Sequence, residues 1–158
     1  MATKANTKRG AAVFKKLCSY LEKNNIEHYK NDEILALRIA LEEEGGPSSL
    51  ILAMDCDVGA LRLLIPLPLA MKPQRRLEGA IVCAHANCNI SDGVFDYNAD
   101  DGSVVFRMAA FHRDGAPGEG LFKYMITTAK ETVEKYRKVF EDVNSGKIGI
   151  TDLVFHSK

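Results

Sequence analysis

Gly93-Val94-Phe95-Asp96-Tyr97, then Asn98-Ala99-Asp100-Asp101-Gly102, then Ser103-Val104-Val105-Phe106-Arg107-Met108-Ala109-Ala110-Phe111: two strand-forming runs flank a turn-forming one. Asp and Gly tolerate the positive φ of a tight reversal, so the two runs read as an antiparallel hairpin. A break from His112 to Gly120 follows, and then a long helix from Leu121 to about Val143. Its apolar stripe is Leu121, Met125, Thr128 or Ala129, Thr132, Tyr136, Val139 or Phe140, and Val143. Lys123, Lys130, Glu131, Glu134, Lys135, Lys138 and Glu141 make a mixed-charge outer face. Gly146 is placed to stop it.

Working outward toward the N-terminus, Lys72-Pro73 opens another helix, with proline suited to a first turn. Leu77, Ala80, Ile81, Ala84 and Cys88 share one of its faces, and Asn87 and Asn89 mark its end. Before it lie three apolar runs. Glu33 to Leu41 alternates, with Leu35, Leu37, Ile39 and Leu41 on one side, the two-residue period of a half-buried strand. Ser49 to Cys56 and Ala60 to Ile65 are separated by the compact turn Asp57-Val58-Gly59, and Pro66 and Pro68 are expected to end the sheet. A first helix, from about Arg9 to Asn24, places Val13, Leu17, Tyr20 and Leu21 on one face. The expected order is therefore α-β-β-β-α-β-β-α, an α+β fold with helices packed on one antiparallel sheet. Residues 1–8 are expected to be a disordered leader, 9–146 a single domain, and 147–158 a tail packed on it, because Ile148, Ile150, Leu153, Val154 and Phe155 are too apolar to float free.

Length and composition fit that frame. A chain of 158 residues can bury a real core, and 46% hydrophobic with 27% charged residues is the balance of a globular protein. The 21 basic and 21 acidic residues cancel, so the basic excess of a nucleic-acid or membrane-surface protein is lacking. Met1 to Arg9 is polar, without the apolar core of a signal peptide, and the run Leu61 to Met71 is too short to span a bilayer. A cytoplasmic location is expected, and the scattered Cys18, Cys56, Cys83 and Cys88 read as reduced thiols.

The later half resembles the YbjN-like family of proposed bacterial sensory transduction regulators, which shares its fold with type III secretion chaperones. The likeness rests on Asn87 to Asp92, on Gly93-Val94-Phe95-Asp96-Tyr97, and on Asp101-Gly102-Ser103-Val104-Val105-Phe106-Arg107. It continues into the long helix, with Met125-Ile126 early and Lys135-Tyr136 late. The resemblance implies a non-enzymatic, commonly dimeric domain that binds protein segments through its sheet and first helix. Polypeptide-contact candidates are then Phe14, Leu17 and Leu21 on the first helix, with Phe95, Tyr97, Phe106 and Met108 on the strands. The expected partners are another polypeptide and a second copy, with no nucleic acid, membrane or cofactor. The balanced charge departs from the acidic bias of dedicated secretion chaperones.

Several constellations invite chemistry. Cys83, His85 and Cys88 could be zinc ligands, with Cys56 or His112 as a fourth, but positions five apart on a helix diverge, and no metal is expected. Asp96 to Gly102 looks like a calcium loop, yet Arg107 stands where the bidentate Glu belongs, so the turn reading holds. The glycine-rich loop after His112 lacks the Lys-Ser/Thr ending of a phosphate-binding loop. Lys72, Gln74, Arg75 and Arg76 form a small basic patch best read as a solvated helix start. The alternative to a binding module is a small-molecule or metal-dependent enzyme using Asp55, Asp57, His85 and His112, which requires these four to meet in one pocket. A third reading is a regulatory dimer whose symmetric interface is its purpose.

Overall fold

The computed structural model describes residues 4–41, 48–112 and 117–156. Helix α1 (Lys4–Lys23) leads into strands β1 (Tyr29–Asn31), β2 (Ala36–Leu41), β3 (Ser48–Asp55) and β4 (Ala60–Ala70). A 3-10 turn (Pro73–Arg75), helix α2 (Arg76–Cys88), strands β5 (Val94–Tyr97) and β6 (Ser103–Phe111), and helices α3 (Glu119–Ser145) and α4 (Ile150–His156) follow. All neighbouring strands are antiparallel, in the order β1-β2-β3-β4-β6-β5. The α+β class and the helix-strand order hold, with one more strand than expected. That strand, β1, has only three residues, too few for a periodic signal, and it pairs with β2 through Lys30↔Leu37.

The inward face of the sheet carries Leu37, Ile39, Leu50, Leu52, Leu61, Leu63, Ile65, Phe95, Val104 and Phe106. These pack against Val13, Phe14, Leu17 and Leu21 of α1 and against Phe122, Met125, Ala129, Val133, Tyr136 and Phe140 of α3. Burying each large side chain stabilises by roughly 1.5–3 kcal/mol, so this single layer is the main cohesive element. Phe95 is its aromatic hub, with ring centroids 5.1 Å from Phe106, 5.6 Å from Tyr136 and 5.4 Å from Phe140. Helix α3 ends in a left-handed Gly146 (φ 81°), with the Gly146 and Lys147 N–H groups returning to the Val143 and Asp142 carbonyls. Asn144 then clamps the connection after β4, accepting from Lys72 N at 2.8 Å and donating to Ala70 O at 3.1 Å.

Several boundaries and faces differ from the sequence reading, among them the start of β2 at Ala36 and the buried stripe of α3, which takes Phe122 and Val133 where Leu121 and Thr132 were expected. Helix α1 begins at Lys4, so residues 4–8 are helical rather than a disordered leader; Ala, Lys and Arg favour a helix even without an apolar stripe. Strand β4 runs through Pro66 and Pro68, which lie on its exposed side at a register irregularity with β6 between Pro66 and Ala70, where a missing N–H costs little. Helix α2 buries Gly79, Val82, Cys83 and Ala86, whereas Leu77, Ala84 and Cys88 are exposed. Glycine is the cause: a Cβ at Gly79 would stand 2.6 Å from Met71 Cγ and 3.0 Å from the Tyr97 ring, so the helix approaches on the side that carries no side chain. The tail contains α4, with Ile148, Ile150 and Leu153 packed against the core. Among the described residues, no helix is long and apolar enough to cross a membrane.

Candidate functional site

Among the open features of the described residues are a groove between α1 and the β1–β2 hairpin and the outward face of the sheet. The groove's apolar lining is Phe14 and Cys18 from α1 and Leu35 from the hairpin turn. Lys15 and Glu22 rim one wall, Lys30 and Asp32 the other. The turn itself is built by Asn31, whose side-chain oxygen accepts from Glu33 N at 2.9 Å and Ile34 N at 3.4 Å. Leu35 follows with φ 49°, a left-handed conformation that costs a non-glycine residue about 1–2 kcal/mol. Its carbonyl accepts from Met54 N at 3.0 Å, which holds the turn against β3. Burial pushes the Cys18 thiol above its ordinary range, so it lines the groove as a neutral apolar group.

The outward sheet face presents Tyr29, Arg38, Ile51, Leu64, Arg107 and Val94 abreast, one from each strand. Its charges are paired locally. The Arg38 guanidinium lies 5.5 Å from the Tyr29 ring centre, Arg62 meets Asp55 at 2.6 Å, and Arg107 meets Asp96 at 2.6 Å.

Of the seven expected contact residues, six are core. Phe14, Leu17, Leu21, Phe95, Phe106 and Met108 are all at most 6% exposed, and Tyr97 is half-buried with its hydroxyl shielded. Phe14 lines the groove just described. A buried side chain supports a surface but does not touch a partner, so the others are not contacts in this conformation.

The four residues of the enzymatic alternative do not meet. Asp55 and Asp57 border a cleft with Cys56 and Arg62 that includes neither histidine. Asp55 Oδ1 accepts from Asp57 N at 3.2 Å and from Val58 N at 3.3 Å, and its Oδ2 binds Arg62. The Val58 N–H and, secondarily, Arg62 hold its carboxyl below the usual carboxylate range, the reverse of a general acid. His112 is buried beside the same hairpin, its N–H donating to Gly59 O at 3.0 Å. His85 lies on α2, which packs against β5, α3 and α4. Cys83 is buried and Cys88 exposed. Among the described residues, no three His, Cys, Asp or Glu side chains are placed to hold a metal ion. The Asp96–Gly102 segment is the end of β5 followed by a turn: Asn98 O accepts Gly102 N at 2.8 Å, and Gly102 has φ 80°. Residues 113–116 of the loop after His112 lie outside the described residues.

Sequence reasoning missed the groove because Phe14 and Cys18 are separated from Leu35 by a helix end and a three-residue strand. The one local signal was Asn31-Asp32, a turn former at the right place.

No family model matches this sequence, and no curated protein matches it at the sequence level. Solved structures do match in shape. YbjN, a candidate transcription regulator from E. coli, superposes with a TM-score of 0.59 at 12% identity, covering 84% of this chain and 92% of that one. The ExsC–ExsE complex gives 0.59 at 12% identity, with 82% and 93% covered. The HopA1–SchA chaperone–effector complex gives 0.56 at 13% identity, with 81% and 95% covered. At such identities the likeness is one of fold, and it spans nearly the whole of each neighbour. The chain has the YbjN-like fold that type III secretion chaperones share.

Proposed function

We propose that this chain is a non-enzymatic, chaperone-like regulatory module that binds an extended segment of another polypeptide in the groove between α1 and β1–β2. The observation that carries the reading is the groove itself: an apolar lining of Phe14, Cys18 and Leu35 between charged rims, next to the edge strand β1. An edge strand offers backbone N–H and C=O groups to an incoming chain, and the apolar lining offers room for its alternate side chains. Rims of both signs suit a segment of mixed charge, consistent with the chain's zero net charge. Two neighbours of the same fold were solved as complexes with a second protein, HopA1–SchA and ExsC–ExsE, which supports a polypeptide partner here.

The module acts as a homodimer through the outward face of α2. Leu77 is 75% exposed there, Ala84 and Cys88 are exposed beside it, and Ala80 and Ile81 are half-buried. That strip of one helix carries no charge, and a two-fold axis makes such a face complementary to itself.

The test is selection from a phage-displayed library of random linear peptides, run against the wild type and Ser19→Trp side by side. Ser19 is exposed on the groove rim, so a tryptophan there fills the groove without entering the core. The reading expects peptides that bind the wild type and lose binding to Ser19→Trp. Enriched peptides that bind both equally, or none enriched at all, would overturn it. Light scattering tests the dimer: Leu77→Glu should halve the mass of the wild type, and a monomeric wild type would refute this interface.

A further inference from the structure

We infer that the groove between α1 and β1–β2 sorts charge along its length, taking a segment with acidic residues beside Lys8 and Lys15 and a basic residue beside Glu22. This rests on the polypeptide-binding reading above and names the chemistry of the segment. The groove follows the axis of α1, whose wall runs from Ala11 to Glu22, about 17 Å at about 1.5 Å per residue. The hairpin turn stands at the N-terminal end of that wall, since Leu35 Cδ1 lies 3.9 Å from where a Cβ on Gly10 would be. Lys8, Lys15 and Glu22 are seven residues apart, close to two helical turns, so they fall on one line along this wall. Lys15 and Glu22 are on the groove rim, and Lys8 stands about one turn beyond its end. All three are exposed, and among the described residues none of them is in an ion pair.

The opposite wall adds no net charge, because Lys30 and Asp32 pair with each other at 3.4 Å. The charge left for a ligand is therefore that of the α1 line, positive toward its N-terminal end and negative at the other. Each site on the line is about 10.5 Å from the next. An extended chain rises about 3.3 Å per residue, so the complementary segment has acidic residues about three positions apart and a basic one about three further on. A phosphate chain or an anionic lipid surface fits worse. Uniform negative charge meets Glu22 as repulsion and has no use for the apolar Phe14, Cys18 and Leu35. Lys16 provides the internal contrast: it is exposed on the same helix but about 100° round from Lys15, on the side away from the groove.

The experiment repeats the peptide selection on Lys8→Glu/Lys15→Glu and on Lys16→Glu, and measures by fluorescence anisotropy how tightly each binds the best wild-type peptide. Peptides enriched on the wild type should share one order of charge, acidic at one end and basic at the other. The double reversal is expected to weaken binding about tenfold, and Lys16→Glu less than about twofold. Selection on the double variant should return peptides whose acidic positions have become basic. Should the reversal impair folding, Lys8→Gln/Lys15→Gln takes its place, with an expected loss of about threefold. Peptides that lose binding to Ser19→Trp yet hold the double variant as tightly as the wild type overturn this inference and leave the groove reading standing. An equal loss with Lys16→Glu also overturns it, since the effect would then follow overall charge and not position. Uniformly acidic peptides indifferent to Ser19→Trp, the signature of a polyanion surface, or no enriched peptide at all, overturn both readings.

Discussion

Phe95→Ala separates a core residue from a contact residue. Phe95 is 3% exposed, so truncation forfeits nearly its full transfer free energy and leaves a cavity among Phe106, Tyr136 and Phe140. Phe-to-Ala changes in such sites cost about 3–5 kcal/mol. The three ring contacts fall within the favourable centroid range, each worth about 0.5–1.5 kcal/mol beyond area, which argues for the upper half of that interval. A loss of about 4 kcal/mol is a large part of the 5–15 kcal/mol available to a domain, and it should lower Tm by roughly 8–16 °C for a chain of this size. Urea unfolding at fixed protein concentration measures it. A double-mutant cycle with Phe140→Ala should return a coupling of about 0.5–1.5 kcal/mol. A loss under about 1 kcal/mol, the range of a surface substitution, would refute the placement of Phe95 and return it to the partner-contact role.

Gly102→Ala should destabilise by at least about 2 kcal/mol, because φ 80° disfavours any Cβ and the added atom would stand 2.4 Å from the Met71 carbonyl oxygen; thermal denaturation reads this, and a neutral result would mean the turn relaxes freely. Thiol titration at pH 8 in native buffer should label the exposed Cys88 quickly. Cys83, whose thiol burial pushes up to about 12, and buried Cys18 should react only after unfolding. Asp55 is held below its unfolded value by the Val58 N–H and Arg62, so its stabilising effect is complete above that value and is lost as pH falls through the folded one. Asp55→Asn should therefore flatten the fall in urea midpoint between about pH 5 and pH 3.

What could be read from the sequence divides along physical lines. The hairpin was legible because Asp101-Gly102 needs a positive φ that few residues accept, and Gly102 does adopt it. Strand β2 was legible because Leu37, Ile39 and Leu41 alternate with Arg38 and Ala40, and α3 because Met125, Ala129, Tyr136, Phe140 and Val143 recur at helical spacing, although the buried stripe takes Phe122 and Val133 where Leu121 and Thr132 were expected. The contact residues were not. Phe95 and Tyr97 share one face of β5, as Phe106 and Met108 share one of β6, but a period of two says only that residues face together. Whether α3 covers that face is a tertiary fact. Gly79 misdirected the reading of α2 for a related reason, since a buried face can be defined by a missing side chain. Asn87 does stand at the end of α2, as the sequence suggested, but its hydrogen-bond partner Phe95 lies eight positions later, where no local pattern points to it.

Amide hydrogen exchange of the wild type, with and without an excess of a peptide enriched from the random library, tests the binding account most directly. The account predicts slowed exchange confined to α1, β1 and the turn after β1, residues 11–35, around Phe14, Lys30 and Leu35. Protection confined to α2 or to the outward sheet face, with that region unchanged, would contradict it.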